Sequence, residues 1–382
     1  MFTTKNSKLL AVTEPDDGWD SECIFSSAAD YFARLIADIN GAKSTIVLAV
    51  YIFSLDELGH RVAMALKAAA ARGVKVRIVV DGIGSSRDGE RLAQLLFSAN
   101  AEVRIFHPLP WYWDNYQWSI KTGGILQKFF HFISLLNQRD HRKICIVDGA
   151  YAWCGSFNIT CDHLANSPPW RDYGVRLTGR PVNHLVSNFD DVWFHQDRNN
   201  FPSRLKYFRS NNSIKLRHVS NRLTSFRISR AKQRVWICSA YFSPSGSVIK
   251  AIKKAKSRNV DVRIIVTARS DIAVFPLLSS TYYSDLLNIG VSIYCYKTGM
   301  LHAKCMLIDG QCVIGSSNIN HRSFYHDLEV DVVLSSSHSA NHLESMLEED
   351  MDNSEKLSKE NISLWRGSNL FGWVLRIVRY WM

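Results

Sequence analysis

HRKICIVDGAYAWCGSFN, residues 141–158, and HAKCMLIDGQCVIGSSN, residues 302–318, carry one pattern twice. Each copy has a His, a Lys two positions later and an Asp seven positions after the His, then Gly-Ser-x-Asn at nearly the same distance. One His-x-Lys-x4-Asp can arise by chance; two copies with the same downstream loop are a strong signal. His and Lys at i and i+2 on a strand share a face. ICIV and CMLI continue the strands, and Asp148-Gly149 and Asp309-Gly310 are suited to two-residue hairpin turns. AYAWC and QCVI return as antiparallel strands. With two-residue turns, paired positions sum to 297 and 619, which sets His141 opposite Ser156 and His302 opposite Ser317, beside Ser316. Each half-site then collects an imidazole, an ammonium, a hydroxyl and a carboxamide: His141, Lys143, Ser156 and Asn158 in one, His302, Lys304, Ser316 and Asn318 in the other. That set suits a phosphate, with Lys opposing negative charge and Ser and Asn donating hydrogen bonds.

One half-site alone lacks either a nucleophile or an acid. Two facing half-sites supply both, one neutral His attacking phosphorus and one protonated His serving the leaving oxygen. Each His needs a partner that fixes its tautomer. Asp172 in WRDYGVRL and Glu329 in YHDLEVDV stand at comparable places downstream of the motifs, with Asp327 as the alternative in the second half. Asp148 and Asp309 sit at the turns, where they are expected to brace the hairpins.

The repeat extends outward. GVKVRIVVD at 73–81 matches NVDVRIIVT at 259–267, and NAEVRIF at 100–106 matches NIGVSIY at 288–294. Helices at 26–39, 56–72 and 87–100 alternate with strands at 44–52, 75–81 and 102–106. In the second half, helices at 223–234, 248–258 and 282–288 alternate with strands ending at Phe242, Thr267 and Tyr296. Helices alternating with apolar strands predict an α/β sheet covered on both faces. Between Phe106 and His141 the first half carries 27 extra residues, including PLPWYWDNYQW and KTGGILQKFFHFISLL. Trp, Tyr and Phe beside Lys suit a membrane interface, and a helical hairpin over the core is the other reading.

A chain of 382 residues exceeds one compact core, and 46% hydrophobic with 21% charged residues is ordinary globular composition. Eight cysteines without a CxxC pair argue against a disulfide framework or a zinc site and for a reducing compartment. No run of uncharged apolar residues is long enough to span a bilayer, and the first twenty residues lack the apolar core of a signal peptide. The net charge of +11 is uneven: residues 198–258 hold sixteen Lys or Arg and no Asp or Glu. Such a block favours a polyanion, either an anionic bilayer or nucleic acid. The end, LFGWVLRIVRYWM, spaces Trp373, Ile377 and Trp381 along one helical face beside Arg376 and Arg379, as in a helix lying in a membrane interface.

At its paired motifs the chain resembles the phospholipase D superfamily, from about Cys23 to Met346. YIFSLDELG at Tyr51, WRDYGVRLTG at Trp170 and IGSSNINHRSFYHDLE at Ile314 are similar to bacterial cardiolipin synthases of the short, peripheral type. Asn320 and the first-half GSFN depart from the commonest form of that pattern. The resemblance implies two similar domains, each a mixed sheet flanked by helices, packed about a pseudo-twofold with the active site between them. The domains expected are 1–200, with the insert at about 107–138, and 201–350, followed by an amphipathic tail at 351–382. It further implies metal-free, cofactor-free transfer through a phosphohistidine, with His141 as nucleophile, His302 as acid, and Lys143, Asp148, Lys304 and Asp309 completing the catalytic motifs. The implied substrate is phosphatidylglycerol or a related phospholipid, and the implied place is the cytoplasmic face of a bacterial inner membrane. A phospholipase or nuclease using water is the alternative, with nucleic acid the weaker partner; the sequence does not fix the oligomer.

Overall fold

The computed structural model describes residues 18–97, 100–108, 138–164, 168–195 and 206–361. The aromatic insert, apart from its edges, and the terminal segment from 362 onward therefore lie outside the described residues. In the first half β1 (Ser21–Phe25), α1 (Ala28–Gly41), β2 (Thr45–Val50), α2 (Glu57–Ala71), β3 (Lys75–Asp81), α3 (Gly89–Leu96) and β4 (Ala101–Phe106) come first. β5 (Ile144–Val147), β6 (Tyr151–Gly155), β7 (Gly174–Thr178) and α4 (Val182–Trp193) complete it. The second half holds β8 (Phe208–Ser210), α5 (Ile214–Arg230), β9 (Arg234–Ser239), α6 (Gly246–Lys256), β10 (Asp261–Thr267), α7 (Val274–Asn288) and β11 (Ser292–Tyr296). Then follow β12 (Lys304–Ile308), β13 (Gln311–Gly315), α8 (His321–Tyr325), β14 (Val330–Leu334), α9 (Ser337–Asp352) and β15 (Ser354–Lys356).

The sheets repeat each other. The first runs β1-β7-β6-β5-β2-β3-β4 and the second β8-β14-β13-β12-β9-β10-β11-β15. In both, the three early strands are parallel and the motif hairpin joins them antiparallel. Period-two alternation sends successive side chains to opposite faces. Ile46, Leu48 and Val50 pack with α1 and α2, whereas Val47 and Ala49 face the middle of the molecule. There they meet Trp236, Cys238 and Leu307 of the other sheet, with α4 and α9 filling the same layer. The halves thus share one buried core between two sheets.

Two helices run longer than the sequence predicts. α5 begins at Ile214, because Ser213 caps it by accepting the Leu216 N–H (3.3 Å) and its Lys and Arg hide any apolar stripe. α7 begins at Val274 although Pro276 stands in its first turn, a place where no helical N–H is lost. The strand expected to reach Phe242 stops at Ser239, freeing Tyr241 for the site. Ser354–Lys356, which the sequence reading places in the tail, pairs with β11 as an edge strand, so the second sheet runs past residue 350.

The second hairpin has the expected register, Ile308 opposite Gln311 and Cys305 opposite Ile314. The first differs: Val147 pairs with Tyr151 and Ile144 with Cys154, so positions sum to 298 and Ala150 joins Asp148 and Gly149 in the turn. His141 is therefore not opposite Ser156. Asp148 (φ 53°) and Asp309 (φ 52°) adopt the left-handed conformation that Asp tolerates. Asp148 accepts N–H bonds from Lys43 (2.8 Å), Ser44 (2.8 Å) and Thr45 (3.0 Å). Asp309 accepts those of Lys232 (3.0 Å), Gln233 (2.8 Å) and Arg234 (3.1 Å). Burial raises each carboxyl, but the N–H donors outweigh it and hold both below the usual range. Each aspartate ties its hairpin to the start of the neighbouring parallel strand. Asp309→Ala should lower unfolding free energy by about 1–3 kcal/mol, since three backbone donors lose an ionised acceptor. Urea titration checks this, with turnover per folded molecule expected to stay within about twofold.

Candidate active site

The motif glycines are fixed by crowding. A Cβ at Gly155 would lie 2.5 Å from Tyr173 O, and one at Gly315 would lie 2.4 Å from Val330 O. The loops Ser156–Asn158 and Ser316–Asn318 start from these contacts, beside the segments that precede β5 and β12. Those segments cross between halves. Asp140 bridges Leu328 and Arg171 bridges Leu301. His141 N donates to Leu328 O (3.0 Å), and His302 N donates to Arg171 O (2.8 Å).

The crossing decides the imidazole partners. His141 Nδ1 lies 3.1 Å from both oxygens of Glu329, which belongs to the second half. His302 Nδ1 lies 3.0 and 3.1 Å from the oxygens of Asp172, which belongs to the first. Each motif histidine is thus oriented by the carboxylate downstream of the other motif. With Nδ1 engaged as donor, Nε2 is the nitrogen left for chemistry. Asp327, the sequence alternative, instead pairs with Arg322 (2.9 Å).

Lys143 Nζ donates to His141 O (2.8 Å), and Lys304 Nζ to His302 O (2.5 Å). Both lysines are buried, and Lys143 senses the charge of Lys304. Burial first, then the Lys304 charge, pushes Lys143 down to about 7. Burial lowers Lys304 to about 8 against the pull of Asp172 and Glu329. Burial and the lysines lower His141, and burial lowers His302 to about 4 despite Asp172. Burial raises Glu329 to about 7, whereas His302 and His163 overcome burial and hold Asp172 well below the usual range. The site crowds cations where no solvent screens them, which is how a protein prepares for an anion. Binding of inorganic phosphate at about pH 7.5 should therefore take up protons, because the anion restores charge to the lysines. Above about pH 8 affinity should fall as the lysines of the empty site lose their protons. Calorimetry in buffers of different ionisation enthalpy measures the uptake; no buffer dependence would contradict it.

The two motif serines differ from expectation. The Ser156 hydroxyl donates to Tyr173 O (3.1 Å) and accepts from Tyr173 N (3.2 Å) with no exposed surface. Ser316 donates to Glu329 and accepts the Val330 N–H (3.0 Å). Their single protons are committed within the protein, so neither is presented to a phosphate. Asn158 Oδ1 faces Ile52 N (3.4 Å) and Asn318 Oδ1 accepts from Tyr241 N (3.1 Å). That orientation leaves each Nδ2 as the donor available to a ligand.

Residues not singled out from sequence also line the site. The Tyr51 ring lies 4.9 Å from His141, and Tyr241 lies 6.3 Å from His302 with its hydroxyl on Asp271 (2.6 Å). Trp170 lies 5.5 Å from the His302 ring. His163 completes the set, with Nδ1 2.9 Å from Asp172. Tyr51 and Tyr241 follow equivalent strands in YIFS and AYFS but stand one position out of register, since Ile52 N meets Asn158 as Tyr241 N meets Asn318.

This geometry coincides with a family assignment. The family described as Cardiolipin synthase, PLD-like domain, matches residues 35–193 and 226–351. The chain belongs to this phospholipase D-like family. Within it, a cardiolipin synthase of Listeria welshimeri is 30% identical over 90% of this chain and 72% of its own length. The minor cardiolipin synthase ClsB of Bacillus subtilis is 29% identical over 88% of this chain and 82% of its own. Among solved structures, a phosphatidylserine synthase of Haemophilus influenzae superposes with a TM-score of 0.64 at 12% identity. It covers 94% of this chain and 91% of its own, a likeness of fold. The fold is that of two phospholipase D-like domains, each a mixed sheet flanked by helices.

Proposed function

We propose that this member of the phospholipase D-like family is a phosphatidyltransferase of the cardiolipin synthase type, moving a phosphatidyl group to the hydroxyl of phosphatidylglycerol through a phosphohistidine. The observation that carries the reading is the crossed pair of carboxylate-held histidines, each with a buried lysine bonded to its carbonyl. The relatives named cardiolipin synthases support the substrate class.

His141 Nε2 attacks phosphorus, forming N–P while the bond to the leaving glycerol oxygen breaks. His302 passes its Nε2 proton to that oxygen. In the second step His302 takes the proton of the acceptor hydroxyl, whose oxygen displaces His141. Lys143, Lys304 and the Nδ2 groups of Asn158 and Asn318 hold the non-bridging oxygens as charge shifts onto them. Asp172 and Glu329 fix the tautomers, while Asp148 and Asp309 keep the hairpins in place.

The enzyme works as a peripheral protein on anionic lipid at the cytoplasmic face of a bacterial inner membrane. Among the described residues no helix is long and apolar enough to cross a membrane. α5 and α6 pack together and expose Lys215, Arg222, Arg230, Lys250, Lys253 and Lys254, a basic face suited to anionic headgroups.

The test is product analysis after incubation with phosphatidylglycerol vesicles, with His141→Ala as control. Cardiolipin plus glycerol, absent from the control, supports the reading. Phosphatidic acid alone makes water the acceptor and overturns transfer. No lipid product would overturn the lipid assignment and send the same assay to nucleic acid.

A further inference from the structure

One difference between the two half-sites stands beside their carboxylates. Five residues after each motif asparagine stands a side chain that links that asparagine's backbone to the half-site carboxylate. In the second half it is Ser323, whose hydroxyl accepts from Asn318 N (3.1 Å) and donates to Glu329 (2.6 Å). In the first half it is His163, in a single 3-10 turn over Cys161–His163. His163 Nε2 accepts from Asn158 N (3.2 Å), so the neutral ring carries its proton on Nδ1, which lies 2.9 Å from Asp172 Oδ2. The approach is close but oblique. The ring is 2% exposed, edged against Phe157 and Trp170.

The difference breaks the symmetry. Glu329 takes protons from two hydroxyls, Ser316 and Ser323, besides His141. Asp172 takes one oblique imidazole N–H besides His302, because Ser156 turns to Tyr173 instead. A carboxylate with fewer strong donors keeps more charge for its remaining partner. His302 therefore faces the more strongly charged acceptor, which opposes the burial that lowers it, while His141 faces a quenched one.

We propose that His163 is a positioning residue that holds Asp172 on His302 Nδ1 and so makes His302 the leaving-group acid of the first step. The inference rests on the phosphodiester-transfer reading above. In that step His141 Nε2 forms the N–P bond, the P–O bond breaks with its electron pair on oxygen, and the His302 Nε2 proton neutralises that oxygen. A leaving group that is stable as an anion dispenses with the proton.

The test compares two donors in the same vesicles: phosphatidylglycerol, which leaves as an alkoxide, and phosphatidyl-p-nitrophenol, which leaves as a phenolate. Wild-type protein processes both if the site cleaves these lipid phosphodiesters, whether the acceptor is an alcohol or water, and neither if the lipid reading fails. His163→Phe, which keeps the packing against Phe157 and Trp170, should slow phosphatidylglycerol turnover about tenfold or more. It should leave the first-turnover burst of p-nitrophenol within about twofold. His163→Asn, which keeps a donor near Nδ1, should recover most of the lost rate. Equal losses on both donors, or no loss on phosphatidylglycerol, would overturn the assignment. Far-ultraviolet circular dichroism and thermal midpoint of each variant separate misfolding from a positioning effect.

Discussion

Glu329→Gln should remove about 10³–10⁴-fold of kcat through a histidine that lies 188 residues away in sequence, and Asp172→Asn should do the same across 130. An amide cannot hold the imidazole in the tautomer that leaves Nε2 ready, nor stabilise the ring once it is protonated. His141→Ala and His302→Ala, which remove the reacting nitrogens themselves, should abolish turnover. Steady-state kinetics on phosphatidylglycerol vesicles reads all four variants. The pairing has its own signature, because an Nδ1–H donated to a carboxylate resonates far downfield. Glu329→Gln should move that proton signal for His141 and leave the signal of His302 in place. Full activity in either histidine variant, or a shift at the wrong ring, would refute the crossed site.

The largest expected effect on stability lies below the site. Arg142, fully buried, donates to Asp140 through Nε (2.8 Å) and a terminal nitrogen (2.6 Å), and to Asn188 Oδ1 (3.0 Å). Asp140 N in turn donates to Asp81 (2.9 Å), at the end of β3. Two charges out of water in this geometry contribute little net stability, but either one alone is costly. Arg142→Met should therefore lower unfolding free energy by about 3–5 kcal/mol. Adding Asp140→Asn in the same chain should return part of the loss, since the remaining buried charge is removed. Denaturant midpoints measure both, and an equal or greater loss in the double variant would mean that the cost is packing rather than charge.

The sequence made much of this legible for physical reasons that can be named. The strands KVRIVVD and DVRIIVT are apolar runs with a hard boundary, and both are observed at those limits. The paired motifs bring together histidine and lysine because two residues along an extended segment share a side. What stayed hidden depends on tertiary packing. Asp172 and Glu329 stand at similar distances behind their own motifs, so nothing local says that each serves the opposite histidine. The orientation of a serine hydroxyl depends on a neighbouring backbone, which is why Ser156 and Ser316 were expected to face a ligand and face the protein instead. One residue in a turn, Ala150, shifted the first hairpin register, a difference too small for a Asp-Gly signal to resolve. His163 was written in the spacing all along, at the position that Ser323 holds in the other half, but its meaning needed the Asp172 contact.

The exchange of carboxylates between halves has a genetic consequence. Each half carries a reacting nitrogen whose orientation is borrowed from its counterpart, as in a symmetric dimer whose protomers have been tied end to end. Because one chain supplies both, dilution cannot take the two apart, and the effective concentration of each half for the other is set by covalent connection. The same tie makes lesions in the two halves equivalent. A cell expressing one allele defective at His141 and another defective at His302 should gain nothing from the mixture, because every molecule still closes on its own damaged partner. Recovery in such a mixture would require halves to pair between chains.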